Sequence, residues 1–447
     1  MKMKKLLLLI SLIGFTVCTA PAQEAWSLKQ CVDYAIEHNI NVRQKVLDQK
    51  NQEINVNTAK WSRLPDLKAG LGQNFYFGRG PGRDGTYRDE SQTSSSFDVS
   101  TSVPLFNGLR TWNQISARKF DLEAAVEDLN KAKEDLSLNI TAYFLQVLFN
   151  KELQKIAVEQ VNLTKLQLQK TEVLVKNGKS PESELYEGRA NLAKDELSLT
   201  DASNNLSLSL LDLSQLLNLE SLTGFDVQSP DTEALVLTDA LKLTAPDAVY
   251  TRSLESRPAV KAAQQRLNSS MKELKVAKAD FYPSLSLGVS YSNSYFHSYN
   301  LGEGETNTSF SEQLRENGSE SVGLKLNIPI FNRLATRNQL RTSRIVVEGR
   351  QLALDETKQA LFKEIQQAYY NAIAARDKFK SSQKAVEASQ LAFNYEEQKY
   401  SAGKSTVFQF NETKTRLTKS LSDLAQAKYD FLFRSRILDF YNGVPLY

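Results

Sequence analysis

Two periodicities alternate along this chain, and they do so twice. In Phe97-Asp98-Val99-Ser100-Thr101-Ser102-Val103 the odd positions are apolar or methyl-bearing and the even ones polar, the period-2 signature of a strand with two unlike faces. The same alternation runs through Leu285–Tyr291 and Val322–Ile328, and a less regular version, Gly-rich at its start and aromatic at its end, occupies Leu67 to Phe77. Each run is about the 9–11 residues that a tilted strand needs to cross a bilayer, which would set one face against lipid and the other against water.

The switch to helical spacing is abrupt. Val103-Pro104-Leu105-Phe106-Asn107-Gly108-Leu109 and Ile328-Pro329-Ile330-Phe331-Asn332-Arg333-Leu334 each close an alternating run and open a long segment with almost no Gly or Pro. This predicts strand–helix junctions at Pro104 and Phe106 and at Pro329 and Phe331. The helices that follow, 109–176 and 334–401, would each be about 100 Å long at ~1.5 Å per residue. Leu361, Ile365, Ala368, Ala372, Ala375 and Phe379 mark a seam of steps of 4 and 3, as do Leu136, Ile140, Tyr143 and Val147. That spacing is the knobs-into-holes pattern of helices packed side by side.

Each rod ends at a Gly turn, Lys176-Asn177-Gly178-Lys179-Ser180-Pro181 or Ser401-Ala402-Gly403-Lys404-Ser405-Thr406. Gly supplies the left-handed residue after a helix, a hydroxyl residue caps the next one, and Pro181 fits a first helical turn. Returning helices are expected over 181–219 and 406–441. Shorter helices precede the strands, from Trp26 to Lys60 with a weak point at Asn39-Ile40-Asn41, and from about Arg257 to Asp280. Polar stretches from Gly78 to Ser95 and from Asn293 to Glu320 read as long loops joining the strands, which suits the outer side of an outer-membrane barrel.

The register exposes a duplication. Phe106 and Phe331 are 225 residues apart, as are Gly178 and Gly403, while Tyr143 and Tyr369 are 226 apart and Pro65 and Pro283 218. The expected organisation is a signal peptide over 1–22, a first repeat over 23–219 (helix, two strands, long helix, turn, helix), an inter-repeat linker or equatorial segment over 220–250 and a second repeat over 251–447.

Lys2, Lys4 and Lys5, the apolar run Leu6–Val17 and the small-x-small site Ala20-Pro21-Ala22 compose the expected signal peptide, since the run is too short to span a bilayer. Phe15-Thr16-Val17 ahead of Cys18 is too bulky for a lipoprotein site. Removing the signal lowers the formal charge from +3 to zero, leaving no electrostatic reason to bind nucleic acid. Cys31 is then the only cysteine, which excludes an internal disulfide and a cysteine metal cluster. After the signal no stretch is apolar for 18 residues, so the chain is either soluble outside the cytoplasm or enters a membrane as strands.

Four strands cannot close a transmembrane barrel, and an open sheet in lipid leaves edge groups unpaired at several kcal/mol each. The chain must oligomerise, with two copies giving eight strands and three giving twelve. If the strands form a ring, the attached helices continue it as a tube.

The ordered pieces Leu28-Lys29-Gln30-Cys31-Val32-Asp33-Tyr34-Ala35 with Asn39, Leu64-Pro65-Asp66-Leu67 and Tyr282-Pro283-Ser284-Leu285, the two Pro-x-Phe-Asn junctions and the two Gly turns resemble the TolC-like outer-membrane efflux family over essentially the whole mature chain. Ile40 departs from the Pro that often follows Asn there. The resemblance implies a mainly α fold with a transmembrane β-barrel portion: a homotrimer with a twelve-stranded barrel continued by a periplasmic helical barrel. It further implies the exit duct of a tripartite efflux or type I secretion system in the outer membrane of a Gram-negative bacterium, working with a periplasmic adaptor and an inner-membrane transporter. It makes Asn177, Gly178, Lys179, Ser180, Ala402, Gly403, Lys404 and Ser405 adaptor-contacting turns. By position it makes Glu184, Tyr400 and Glu412 gate or pore residues; Ser405 and Gln409 stand where the family has an arginine and an acid, and Lys404 is the neighbouring cation that would pair with Glu184.

Chemistry adds little. Gly178-Lys179-Ser180 and Gly403-Lys404-Ser405 end like phosphate loops, but Val173 and Gln398 replace the required first Gly and no strand precedes either. His38 and His297 have no ligand-spaced neighbours. No catalytic, cofactor or metal residues are expected. The reading from another class is a secreted structural coiled-coil protein without membrane strands, which leaves the alternating runs unexplained.

Overall fold

The computed structural model describes residues 25–81, 85–221, 224–229, 244–301, 304–444 and 446; the expected signal peptide lies outside them. In chain order the elements are α1 (Leu28–His38), α2 (Ile40–Trp61), β1 (Asp66–Pro81), β2 (Tyr87–Phe106), α3 (Arg110–Lys176), α4 (Glu182–Leu217), α5 (Pro246–Ser256), α6 (Pro258–Ala279), β3 (Ser284–Ser298), α7 (Phe310–Glu316), β4 (Ser319–Asn327), α8 (Ala335–Ser401) and α9 (Val407–Tyr441). They fall into two compact units, each drawing on both halves of the sequence: one comprises 46–128 and 258–357, the other 129–257, 358–447 and the residues up to Lys45.

The first unit holds one four-stranded antiparallel sheet in the order β1-β2-β3-β4. Its register follows the alternation: Leu71 lies opposite Phe97, Ala69 opposite Val99, Val99 opposite Tyr291, Thr101 opposite Val289 and Val289 opposite Val322. Since directly opposed residues point the same way, the apolar positions of all four strands form one band. The other face carries Lys68, Ser100, Ser290 and Ser321 in one row and Gly70, Asp98, Ser292 and Ser319 in the next. The apolar band is uncovered, with Leu71 82 % and Leu324 67 % exposed. A Cβ at Gly70 would crowd the Asp98 carboxylate opposite it, so glycine there leaves room for that side chain on the polar face.

The first expected loop is largely strand, and the second is strand only at its ends. β1 and β2 stay paired out to Pro81 and Tyr87, and β3 continues to Ser298, with helix α7 in the connection to β4. Backbone pairing does not require an apolar side chain, so the period-2 signal faded before the ladder did. The linker likewise ends in a helix, α5, with Pro246 at its first turn.

Both strand–helix junctions are built alike. Gly108 and Leu109 have φ of 64° and 63°, and Arg333 and Leu334 have 56° and 63°. The Asn before each pair donates from Nδ2 to a Thr hydroxyl four residues on, Asn107 to Thr111 and Asn332 to Thr336. Two successive left-handed residues reverse the backbone sharply enough to leave a strand and enter a helix. Pro104 lies inside β2 at a register shift against β3, whereas β4 stops at Asn327, ahead of Pro329. Arg333 takes the same left-handed conformation as Gly108, but a Cβ at 108 would also meet the Ala279 carbonyl oxygen at 2.9 Å, and that close approach is what favours glycine in the first copy.

The second unit is helical. Cys31, Val32 and Ala35 of α1 are buried, as are Leu213 and Leu217 at the end of α4. Ser27 and Gln30 form a capping box at the start of α1. The weak point at Asn39 is the break between α1 and α2: its side chain accepts from the Asn41 amide at 2.9 Å and thereby starts α2. Arg257, 7 % exposed, lays its guanidinium 4.0 Å from the Phe440 ring and 3.2 Å from Glu134.

Candidate functional site

The helix hairpins turn by one device used in both repeats. After α3, the Gly178 amide donates to the Val175 carbonyl (2.9 Å) and the Lys179 amide to Leu174 (2.8 Å); after α8, Gly403 donates to Tyr400 (3.0 Å) and Lys404 to Lys399 (2.8 Å). With Gly178 at φ 67° and Gly403 at φ 70°, each is the paired 6→1 and 5→2 closure that satisfies the last helical carbonyls. Asn218 and Gly443 repeat it at the ends of α4 and α9, again 225 residues apart.

Entry to the returning helices differs from expectation in the first repeat. Thr406 caps α9 in a capping box with Gln409, but Pro181 itself occupies the N-cap position of α4 and makes no side-chain cap. Ser180 instead donates its hydroxyl to Glu184. The Glu184 carboxylate therefore faces its own turn, favourably placed at a helix N-terminus, and no ion pair to Lys404 is found among the described residues. Lys404 is exposed. Glu412 pairs with Arg416 along its own helix at 2.9 Å. Ser405 donates to Glu396 and, at 3.1 Å, to Gln409.

Tyr400 turns inward. Its ring stacks on Phe410 at 4.9 Å between centroids, and Phe410, Phe393 and Leu417 form a buried cluster against which Leu163 also packs. One turn along α9 from Phe410 comes the residue that sequence reasoning missed. Lys414 is 4 % exposed; its ammonium stands 2.9 Å from Asp195 Oδ2 on α4 and donates to the Thr164 hydroxyl on α3. Thr164 in turn donates to Asp195 at 2.5 Å, and Thr418, one turn beyond Lys414, donates to Gln160 at 2.7 Å. Three helices from the two hairpins are thus tied by one buried ion pair and its hydroxyl. Burial lowers the Lys414 pKa, and the hydrogen bond to Asp195 opposes that only in part. A cleft of about 450 Å³ lined by Asn191, Lys194, Asn411 and Lys419 opens beside the pair.

The signal was present in the spacing. Phe410, Lys414, Leu417 and Leu421 step by 4, 3 and 4, and Leu192, Asp195, Leu199 and Ala202 by 3, 4 and 3. A lysine on one apolar seam and an aspartate on another are candidates for a buried pair.

Neither histidine gathers a constellation. His38 stacks on Tyr34 at 4.0 Å and bonds its carbonyl through Nδ1 at 2.9 Å, and His297 Nδ1 lies 3.3 Å from the Tyr295 hydroxyl. Burial pushes the Cys31 thiol up to about 12.

The family model for outer membrane efflux proteins matches residues 31–219 and 249–443. The chain belongs to this family. It is 27 % identical to the pyoverdine export outer membrane protein OpmQ of Pseudomonas putida over 375 residues, covering 81 % of this chain and 74 % of that one. The fold is similar to that of CusC (TM-score 0.77, 17 % identity, 94 % and 92 % of the two chains) and of the open-state MtrE channel of Neisseria gonorrhoeae (0.72, 16 %, 94 % and 89 %). It is the TolC-like fold that the duplicated pattern implied. This efflux protein acts in the outer membrane as an export duct; the family and its structural neighbours are channels rather than enzymes.

Proposed function

We propose that three copies of this chain close a twelve-stranded barrel in the outer membrane. Their long helices line a periplasmic passage that receives its cargo from a periplasmic adaptor and an inner-membrane pump. The carrying observation is the sheet: four strands with a continuous exposed apolar band and two free edges, the sixteen residues of β1 and the nine of β4. In lipid those edges cost several kcal/mol per unpaired group, and joining β4 of one copy to β1 of the next removes the cost. Export then requires no bond-making by this protein, since the energy is supplied by the pump.

The turns at Asn177, Gly178, Lys179 and Ser180 and at Ala402, Gly403, Lys404 and Ser405 are the surfaces offered to the adaptor. Glu184, Tyr400, Lys404 and Glu412 lie on or beside those turns, where a change in hairpin spacing sets the entrance width. The repeats, 23–219 and 251–447, supply one hairpin each, and 220–250 joins them.

The test is a membrane fraction analysed by gel electrophoresis with and without heating. A trimer-sized band that collapses to the monomer only on boiling is the expected result; a monomer in the soluble fraction overturns the proposal. For the gate, Glu184→Ala with Lys404→Ala is expected to raise single-channel conductance in a planar bilayer, and unchanged conductance removes both residues from it.

A further inference from the structure

The outer part of β3 has β2 on one side and no strand on the other, yet its backbone is paired on both. β4 reaches only as far as Ser319, opposite Ser292, while β3 continues through Ser294, Phe296 and Ser298. The edge these three residues turn away from β2 carries three N–H and three C=O groups. The Phe296 amide donates to Gln313 Oε1 at 2.9 Å and its carbonyl accepts from Gln313 Nε2 at 2.8 Å. Ser298 does the same with Asn307, donating to Oδ1 at 2.9 Å and accepting from Nδ2 at 2.8 Å. At Ser294 the amide donates to Asn293 Oδ1 at 2.8 Å and the carbonyl accepts from Asn317 Nδ2 at 2.7 Å.

A side-chain amide carries the same donor and acceptor as a peptide group, so one Asn or Gln can pair both groups of one edge residue, as an opposing strand residue does. The spacing fits: the satisfied residues are two apart, the repeat of a strand edge. The amides are held in place. Gln313 and Asn293 are buried, Gln313 Nε2 also donates to the Thr308 carbonyl at 2.9 Å, Asn293 Nδ2 donates to the Leu314 carbonyl at 2.6 Å, and Phe310 of α7 packs edge-on against Tyr295 at 5.1 Å.

We propose that residues 304–318 act as a substitute strand, whose side-chain amides complete the wall of the barrel along β3 beyond the end of β4 and close that edge to any other strand. The inference rests on the barrel reading above and adds to it. An unpaired edge is a template for strand addition by another chain, and a short β4 would otherwise leave one at the rim. With the edge capped, the connection to β4 is part of the wall rather than a lid, and strands of neighbouring copies can add only to β4 and β1.

The experiment is residue-resolved amide hydrogen exchange on the detergent-solubilised full chain, after confirming that it runs as a heat-modifiable trimer. Gln313→Met keeps the length of the side chain and removes both bonds to Phe296, and Asn307→Leu does so for Ser298. The expected result is exchange at least ten-fold faster at Phe296 in the first variant and at Ser298 in the second, with Val289 and Tyr291 in the paired part of β3 unchanged. Exchange unaltered at Phe296 and Ser298, or faster to the same degree along the whole of β3, overturns the proposal. A wild-type chain that forms no trimer fails the barrel reading instead. Gln313→Glu separates shape from pairing: it retains the acceptor for the Phe296 amide but sets a carboxylate against the Phe296 carbonyl, so exchange at Phe296 is expected to rise as in Gln313→Met. Wild-type protection there overturns the amide pairing.

Discussion

Removing one partner of the Lys414–Asp195 pair should cost more than any other polar substitution in the helical unit. At 2.9 Å the attraction is about 6 kcal/mol in an effective dielectric of ~20, much of which offsets the desolvation of two charges. Asp195→Ala leaves the ammonium buried with only the Thr164 hydroxyl beside it, for an expected loss of about 3–5 kcal/mol. Lys414→Met with Asp195→Leu removes both charges from apolar seams and should recover most of it. The assay is thermal unfolding in detergent followed by helical circular dichroism, run as a double-mutant cycle. A pH series adds a sign. The folded pKa of Lys414 is lowered, so between it and the ordinary lysine value of about 10.5 the unfolded chain binds more protons, and stability rises with pH through that window. Without Asp195 the folded pKa falls further, and Asp195→Ala should gain stability with rising pH over a wider range than the parent. A cycle with no coupling, or a variant whose pH slope matches the parent's, refutes the reasoning.

Glycine substitutions should separate conformational strain from crowding: Gly178→Ala, with open space around the added Cβ, costs only the left-handed penalty of about 1–2 kcal/mol, whereas Gly108→Ala also drives a methyl into the Ala279 carbonyl and costs more, both read from melting temperature. Leu324→Arg places a charge on the apolar band and should lower folding into the membrane by about 2–4 kcal/mol at midplane depth, while Lys325→Gln on the opposite face leaves the yield of heat-modifiable trimer unchanged. Cys31, buried and with its thiol raised to about 12, should not react with Ellman's reagent at pH 8 in the folded protein and should react stoichiometrically once denatured.

The elements were legible wherever one physical rule determined them. Left-handed glycines at 178 and 403 and the capping side chain of Asn39 put the breaks where the sequence shows them, and the change of period at Phe106 and Phe331 located the junctions. Extent was less legible than position. The strands outran their alternation because Gly78 to Pro81 and Tyr87 to Ser95 pair through backbone, which side-chain pattern does not report. Ser180 failed as a cap because the N-cap falls one residue later in both repeats, at Thr406 in the second and at Pro181, which has no side-chain acceptor, in the first. Lys414 and Asp195 were missed because charge near a helix end is ordinarily solvated; only the seam positions of both, taken together, imply that they meet. The side-chain amides along β3 were beyond sequence reasoning, since Asn and Gln in a polar stretch look the same whether they face water or a strand edge.

The duplication makes the two halves a controlled comparison of what the fold requires and what this chain has added. The junction Asn-to-Thr bond, the paired left-handed residues, the Gly closure of each hairpin and the closures at Asn218 and Gly443 occur in both copies at matching positions, so they answer a demand of the backbone path itself. The buried ion pair and the capped β3 edge have no such counterpart. Position 189, 225 before Lys414, is an arginine whose ring neighbour is Tyr186 and whose acid, Glu172, is 3.7 Å away on an exposed face; β1 and β2 stay paired out to Pro81 and Tyr87 at the tip of their hairpin and need no substitute strand there. Asymmetry therefore sits where the second repeat departs from the first: a longer strand connection with a shorter β4, and a lysine driven into an apolar seam between hairpins. Those two places, rather than the shared joints, are where substitutions should change this duct without unmaking its fold.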